Sequence, residues 1–295
     1  MFAPEFEYQR ATSVAQAVQL LSANPEAKLL AGGHSLIPLL KLRQARPSAL
    51  IDIGGIAELR GVSVRDGTSR IGALTTHRAI ETSSEIHDAC HMLTEVAGGI
   101  GDPHVRNRGT IGGNVAHADP ASDWPTVLTA LNARFVIQGQ GGLGRRGSRT
   151  VPASEFFTGP LTTVLGANEV LTAIEVPRLG QHQVAEYAKM AHPATSFAVV
   201  GAAVVVTVDG GRCTAASVVV GGLVPAPLRA RAVENALVGQ ELTTESISAA
   251  SERVSTDLGD NVFGDSVFAS ADFRRVVVGV EVKHALFHAV GLTHH

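Results

Sequence analysis

The sequence predicts an α+β protein in two parts, with a boundary near Pro177. Ahead of that proline, helical patterns alternate with short apolar runs that end in glycine. After it, two long β-branched runs are joined by a turn-forming "DGG", and the chain closes on three consecutive helical patterns. A length of 295 residues with 45% hydrophobic composition suits two domains with sizeable cores, taken here as 1–177 and 178–295.

The first helix is written in "SVAQAVQLLSANP" (13–25), where Val14, Ala17, Val18 and Leu21 recur at helical spacing, Ser13 serves as N-cap and Pro25 follows the end. "AKLLAGG" (27–33) reads as a short buried strand closed by glycine, and "ALIDIGG" (49–55) repeats that design. "SRIGALTT" (69–76) adds a strand, and residues 81–101 read as one helix closed by glycines. Residues 102–125 show neither period. A polar stretch of that length exceeds ordinary connections of about 4–6 residues and marks a functional segment. Residues 126–157 then give helix, strand, glycine turn and strand. The turn "GQGGLGRRG" (139–147) has the glycines and arginines of a phosphate loop, but β-like runs flank it and no helix follows, which favours a hairpin. Beyond Pro177, β-branched runs at 197–208 and 214–220 form a second hairpin, and helical patterns follow around 228–237, 244–258 and 271–290.

Composition narrows the function. Lys and Arg total 24 against 27 for Asp and Glu, a net charge of −3, so nothing recommends nucleic acid or an anionic membrane as partner. The N-terminus "MFAPEFEYQR" lacks the basic start and apolar run of a signal peptide, and no segment is apolar for about 18 residues, so a cytoplasmic chain without an integral membrane segment is expected. Cys90 and Cys213 are too few for a disulfide framework, a four-cysteine zinc site or an iron–sulfur cluster.

Two glycine pairs stand out. At Gly32-Gly33 the chain leaves a strand and enters a helix within about two residues, where a missing Cβ permits positive φ and close approach to a ligand. The amides of His34, Ser35 and Leu36 would then point from a helix start toward phosphate, and Pro38 fits the first turn. A plain strand-to-helix turn is the competing reading. Gly112-Gly113, flanked by Thr110 and Asn114, forms a second such turn, and two amide-rich turns could hold the two phosphates of a dinucleotide from opposite sides. Neither site gives the G-x-G-x-x-G fingerprint of a Rossmann fold.

"AGGHSLIPLLKLR" (31–43) and "VRNRGTIGGNVAHADPASDWP" (105–125), in this order and about 75 residues apart, resemble the paired FAD signatures of the medium, flavin-binding subunit of molybdenum hydroxylases. The pattern resembles foremost the carbon monoxide dehydrogenase type, with relatives in the flavin domain of xanthine dehydrogenase and in bacterial N-heterocycle dehydrogenases. "IDIGGIAELRG", "IGALTTH", "IEVP" and "GGLVPAPLRARAVENALVG" extend the likeness over the whole chain. The resemblance implies a two-subdomain FAD-binding domain of the vanillyl-alcohol oxidase/PCMH type, followed by a small domain of antiparallel sheet and helices.

The site residues follow from the same resemblance. Leu30, Ala31, Gly32, Gly33, His34, Ser35 and Leu36 would wrap the pyrophosphate and ribityl chain, and Thr110, Ile111, Gly112, Gly113 and Asn114 would meet the pyrophosphate from the second turn. Asp123 would bond the sugar-like hydroxyls, or else cap the helix that follows it. Ile174 and Lys189 would face the isoalloxazine ring, Lys189 stabilising negative charge on the reduced form; without the family, Lys189 reads as a solvated strand residue. Phe197 stands where the carbon monoxide dehydrogenase type often has a flavin-stacking tyrosine, which keeps the ring, drops the hydroxyl and hints at the heterocycle or ketone dehydrogenase branch.

The implied complex adds a large molybdopterin-binding subunit and a small subunit with two [2Fe-2S] clusters, as a dimer of heterotrimers. Electrons would reach FAD in this chain and leave to an external acceptor. Two rival readings stay open: a stand-alone FAD oxidase of the vanillyl-alcohol oxidase type, and a non-catalytic nucleotide-binding scaffold. Elsewhere, His87 and His91 have i, i+4 spacing on the predicted 81–101 helix without a third metal ligand, His34 reads as structural, and His294 and His295 read as a frayed end. No Ser-His-Asp or Cys-His set emerges, so no catalytic or metal residue is assigned.

Overall fold

Three larger sheets carry the described residues, beside a two-stranded pair of Phe157–Gly159 and Thr162–Thr163. The structure is a computed structural model that describes residues 2–140 and 146–292. Strands Glu7–Arg10, Ala49–Asp52 and Lys28–Leu30 make a parallel sheet with Ala49–Asp52 in the centre. Helix Val14–Ala23 packs on it through Val14, Ala17, Val18 and Leu21, and Ser13 Oγ caps it by accepting from the Gln16 amide at 3.2 Å. The first glycine turn leaves the edge strand Lys28–Leu30 and enters helix Leu36–Lys41.

A five-stranded antiparallel sheet follows, in the order Val62–Arg65, Thr68–Gly72, Val170–Pro177, Arg134–Gln140, Arg146–Pro152. Pairing of the last two strands makes the predicted hairpin, although most of its turn lies outside the described residues, as do His294 and His295. The third sheet is antiparallel, in the order Gln183–Ala191, Ala198–Asp209, Arg212–Gly221, Leu228–Arg229. Helix Ala271–Ala289 covers it with Val278, Val282, Ala285 and Leu286. Helix Asp123–Ala130 joins the two parts: it packs on the two long strands of this sheet, and the Ala198 and Gly222 amides donate to the carbonyls of Ala121 and Pro120.

Several helical readings change: 228–237 opens with the strand Leu228–Arg229 before helix Arg231–Leu237, and 244–258 divides into Thr244–Ser251 and Val254–Leu258. Residues 81–101 hold parts of three helices, His77–Glu81, Ser84–Ala89 and His91–Gly98. Ser83 caps the second of these, and the buried, extended Cys90 separates it from the third. His87 and His91 therefore lie on different helices. Residues 102–125, read as irregular, contain Pro103–Arg108 and Ile111–His117 and the start of Asp123–Ala130. Helices of six to eight residues are too short to display a period, and their signals were the capping side chains of Asp102 and Thr110.

Candidate functional site

A cleft of about 990 Å³ opens between the two glycine turns and extends past Ser122 to a rim formed by Leu161 and Phe197. Ala31, Gly32, Gly33, His34, Ser35 and Leu36 line one side. Thr110, Gly112, Gly113 and Asn114 line the other, with Asp123 and Phe197 at the far end. Leu30 faces a smaller cavity behind the first turn, and Ile111 is buried in the core beneath the second.

The two turns differ in what they offer. In the first, Gly33 has φ +78°, a left-handed conformation that favours glycine. Ile37 N–H bonds the Gly33 carbonyl at 3.0 Å, while the amides of His34, Ser35 and Leu36 have no acceptor among the described residues. In the second turn the amides of residues 111–114 have partners, while the Thr110 N–H has no acceptor among the described residues. Ile111 N–H donates to Thr75 O, Gly112 N–H to Ala73 O, Gly113 N–H to Thr110 Oγ1 and Asn114 N–H to Thr110 O. The expectation of two amide-rich turns therefore holds for the first only. Glycine at 112 is required by packing, because a Cβ there would meet the Ala73 backbone.

Asn114 Nδ2 bonds Ser122 Oγ at 3.1 Å, and its Oδ1 is buried without a partner. A buried acceptor left open beside a cleft fits a ligand that carries hydroxyl donors. Three open amides on one wall fit an anionic group. Both features suit FAD, which presents a pyrophosphate and a polyhydroxylated chain.

Asp123 is 5% exposed and is the first helical residue, with Ser122 as N-cap, so the capping reading shifts by one position. Its carboxylate accepts from Tyr187 Oη at 2.7 Å and Lys189 Nζ at 2.8 Å. Lys189 also donates to the carbonyls of Gly99 at 3.0 Å and Ser196 at 2.9 Å. All three ammonium protons thus have protein acceptors, which corrects the picture of Lys189 as a solvated residue and leaves no proton turned to a flavin edge. Burial raises the Asp123 carboxyl above its ordinary value, against the pull of Lys189 and Tyr187. Burial, followed by the Asp123 charge, pushes the Tyr187 phenol well up.

The structure does not bring Ile174 to the cleft. It is fully buried between Ile71 and Phe135 on the neighbouring strands. The same strand reaches the cleft through Val170 and Leu171, beyond a register shift between Leu171 and Ala173. Sequence reading also missed Tyr187 and His77, which is buried, lines the cleft and accepts from Trp124 Nε1. His91, Glu95 and Glu186 bring ligand-type atoms within 4.8 Å, but His91 Nε2 and Glu186 Oε1 already pair at 3.0 Å.

Residues 4–179 match the FAD binding domain in molybdopterin dehydrogenase, and residues 185–289 match the CO dehydrogenase flavoprotein C-terminal domain. The chain belongs to this family of FAD-binding medium subunits. It is 38% identical over 289 residues to the carbon monoxide dehydrogenase medium chain of Hydrogenophaga pseudoflava, covering 97% of each chain. It is 37% identical over 258 residues to the glyceraldehyde dehydrogenase medium chain of Sulfolobus acidocaldarius, covering 88% of this chain and 90% of that one. A solved structure of the Hydrogenophaga carbon monoxide dehydrogenase superposes with a TM-score of 0.92 at 39% identity, over 99% of both chains. As a molybdenum hydroxylase medium subunit, the protein is an FAD-binding oxidoreductase component with the expected α+β architecture. Among its described residues no helix is long and apolar enough to cross a membrane.

Proposed function

We propose that this medium subunit is the electron-output component of a cytoplasmic molybdenum hydroxylase. The observation that carries the reading is the cleft wall with open amides at His34, Ser35 and Leu36 opposite the open Asn114 Oδ1. Bound FAD supplies the redox chemistry, joining single-electron donors to an external acceptor. The chain's residues bind and orient it. The first turn holds the pyrophosphate by its amides, and Asn114 Oδ1 accepts from a hydroxyl of the ribityl chain. Phe197, 43% exposed at the rim, offers its face to the ring system. Asp123 and Lys189 act from behind, fixing Ser196 and hence the Phe197 turn. Ile111 and Ile174 support the site from the core.

The unit that binds FAD is taken as 1–177, and 178–295 as the domain that completes the rim. Support comes from the two family matches, which meet between residues 179 and 185. Cys90 and Cys213 cannot ligate a cluster, so the two [2Fe-2S] clusters belong to a small partner subunit and molybdopterin to a large one, as a dimer of heterotrimers. The exposed stripe Phe273, Val276 and Val280 on the C-terminal helix supports burial against another chain. The relatives act on carbon monoxide and on glyceraldehyde at similar identity, which supports substrate choice in the large subunit.

Purification of the complex from its native host through this chain tests the proposal, with an absorption spectrum and metal analysis. Flavin bands with molybdenum, iron and two further polypeptides are expected. A yellow single polypeptide without metals would replace this reading with the stand-alone oxidase, and a colourless one with the scaffold.

A further inference from the structure

His77 starts the helix His77–Glu81 and lines the cleft while only 2% exposed. Its Nδ1 lies 3.2 Å from Trp124 Nε1, and the two rings sit 6.1 Å apart at 28°. An indole N–H can only donate, so Nδ1 must be the acceptor and the proton of the neutral imidazole sits on Nε2. A second proton would have to go on Nδ1 and break the indole bond. Burial, then the neighbouring charges of His34 and Arg106, hold the His77 pKa down to about 4. The ring is therefore a neutral donor of fixed tautomer.

The position of that donor matters. Nε2–H has no acceptor among the described residues. The ring edge lies against Gly109, where a Cβ would stand 3.0 Å from Nε2, and His77 N–H bonds the Gly109 carbonyl at 3.0 Å. Gly109 is also where the first turn touches the second, since a Cβ on Gly32 would lie 3.0 Å from the Gly109 Cα. His77 thus presents one unpaired donor at the joint of the two turns, beside a second turn in which the amides of residues 111–114 are engaged and only the Thr110 N–H is open.

We propose that His77 donates its Nε2–H to a phosphate oxygen of the FAD pyrophosphate, serving as the second-turn donor that the amides of residues 111–114 cannot supply. The proposal rests on the reading of the cleft as the FAD site. The hydrogen bond would be charge-assisted through the phosphate alone, with no cation introduced into the cleft.

The test titrates the full-length, flavin-depleted chain with FAD and with ADP, which carries a pyrophosphate and no flavin. His77→Phe is expected to raise both dissociation constants about tenfold or more, and His77→Gln, which keeps an N–H donor, to recover most of the loss. Nitrogen-15 NMR of the wild-type chain should show the Nε2–H tautomer, with that proton shifting as ADP saturates the site. An Nδ1–H tautomer, or an Nε2 signal indifferent to ADP, would overturn the assignment even if His77→Phe failed to fold. So would a His77→Phe chain that binds FAD within twofold of wild type. A wild-type chain that binds no FAD would instead remove the cofactor reading on which the assignment stands.

Discussion

Gly32 packs directly against the carbonyl of Arg108, so that a Cβ at position 32 would overlap the carbonyl oxygen and lie 2.9 Å from the carbonyl carbon. The two glycine turns, far apart in sequence, are pressed backbone to backbone at this point. Gly32→Ala should force them apart, at a cost of about 1–3 kcal/mol for overpacking, and reduce flavin retention. Gly33→Ala should act through its φ of +78° and cost about 1–2 kcal/mol. Thermal melts read beside the flavin-to-protein absorbance ratio separate the two. A Gly32→Ala chain with full flavin and an unchanged melt would show that the turns can part freely.

Lys189 and Asp123 form a buried pair with side chains 15% and 5% exposed. Lys189→Met should leave the carboxylate without its cation and destabilise the fold by about 3–5 kcal/mol. Adding Asp123→Asn should return part of that loss. A urea-denaturation cycle over the four proteins measures the coupling, and strict additivity would contradict a direct interaction.

His77 gives stability a pH dependence of known sign. Its pKa falls from 6.5 to about 4 on folding, so the unfolded chain binds the proton more tightly and folding is favoured as pH rises. The contribution is complete above 6.5, declines as pH falls toward 4 and amounts to about 3 kcal/mol. His77→Gln should flatten the unfolding free energy across this window. A profile as steep as wild type would place the titrating group elsewhere.

Phe197→Ala should weaken FAD binding by about 0.5–1.5 kcal/mol, the scale of an aromatic stacking contact, whereas Phe197→Tyr should bind as wild type. Fluorescence titration decides it. Equal affinity for all three chains would mean the ring system rests on another surface.

Features set by neighbouring residues were legible in the sequence. The first helix carries its cap and its spacing within 13 residues, the third sheet's hairpin announces itself by "DGG", and both glycine pairs sit where the cleft is built. Features set by distant residues were not. Lys189 reads as solvated until the fold brings Asp123, 66 positions away, to its ammonium. The amides after Thr110 look available until the carbonyls of Ala73 and Thr75 are found beneath them. Ile174 and Leu171 share one strand, and the register shift between them, invisible in "VLTAIEVP", accompanies their different surroundings.

The clasp of Lys189 and Tyr187 on Asp123 crosses the seam between the two matched units, residues 4–179 and 185–289. That geometry limits how such proteins can be recombined. A chimera that joins this N-terminal unit to another C-terminal domain inherits a buried carboxylate, and it stays sound only if the incoming strand brings a phenol and an ammonium in matching register. The grafting unit is therefore larger than either domain and includes the three side chains that meet across the join.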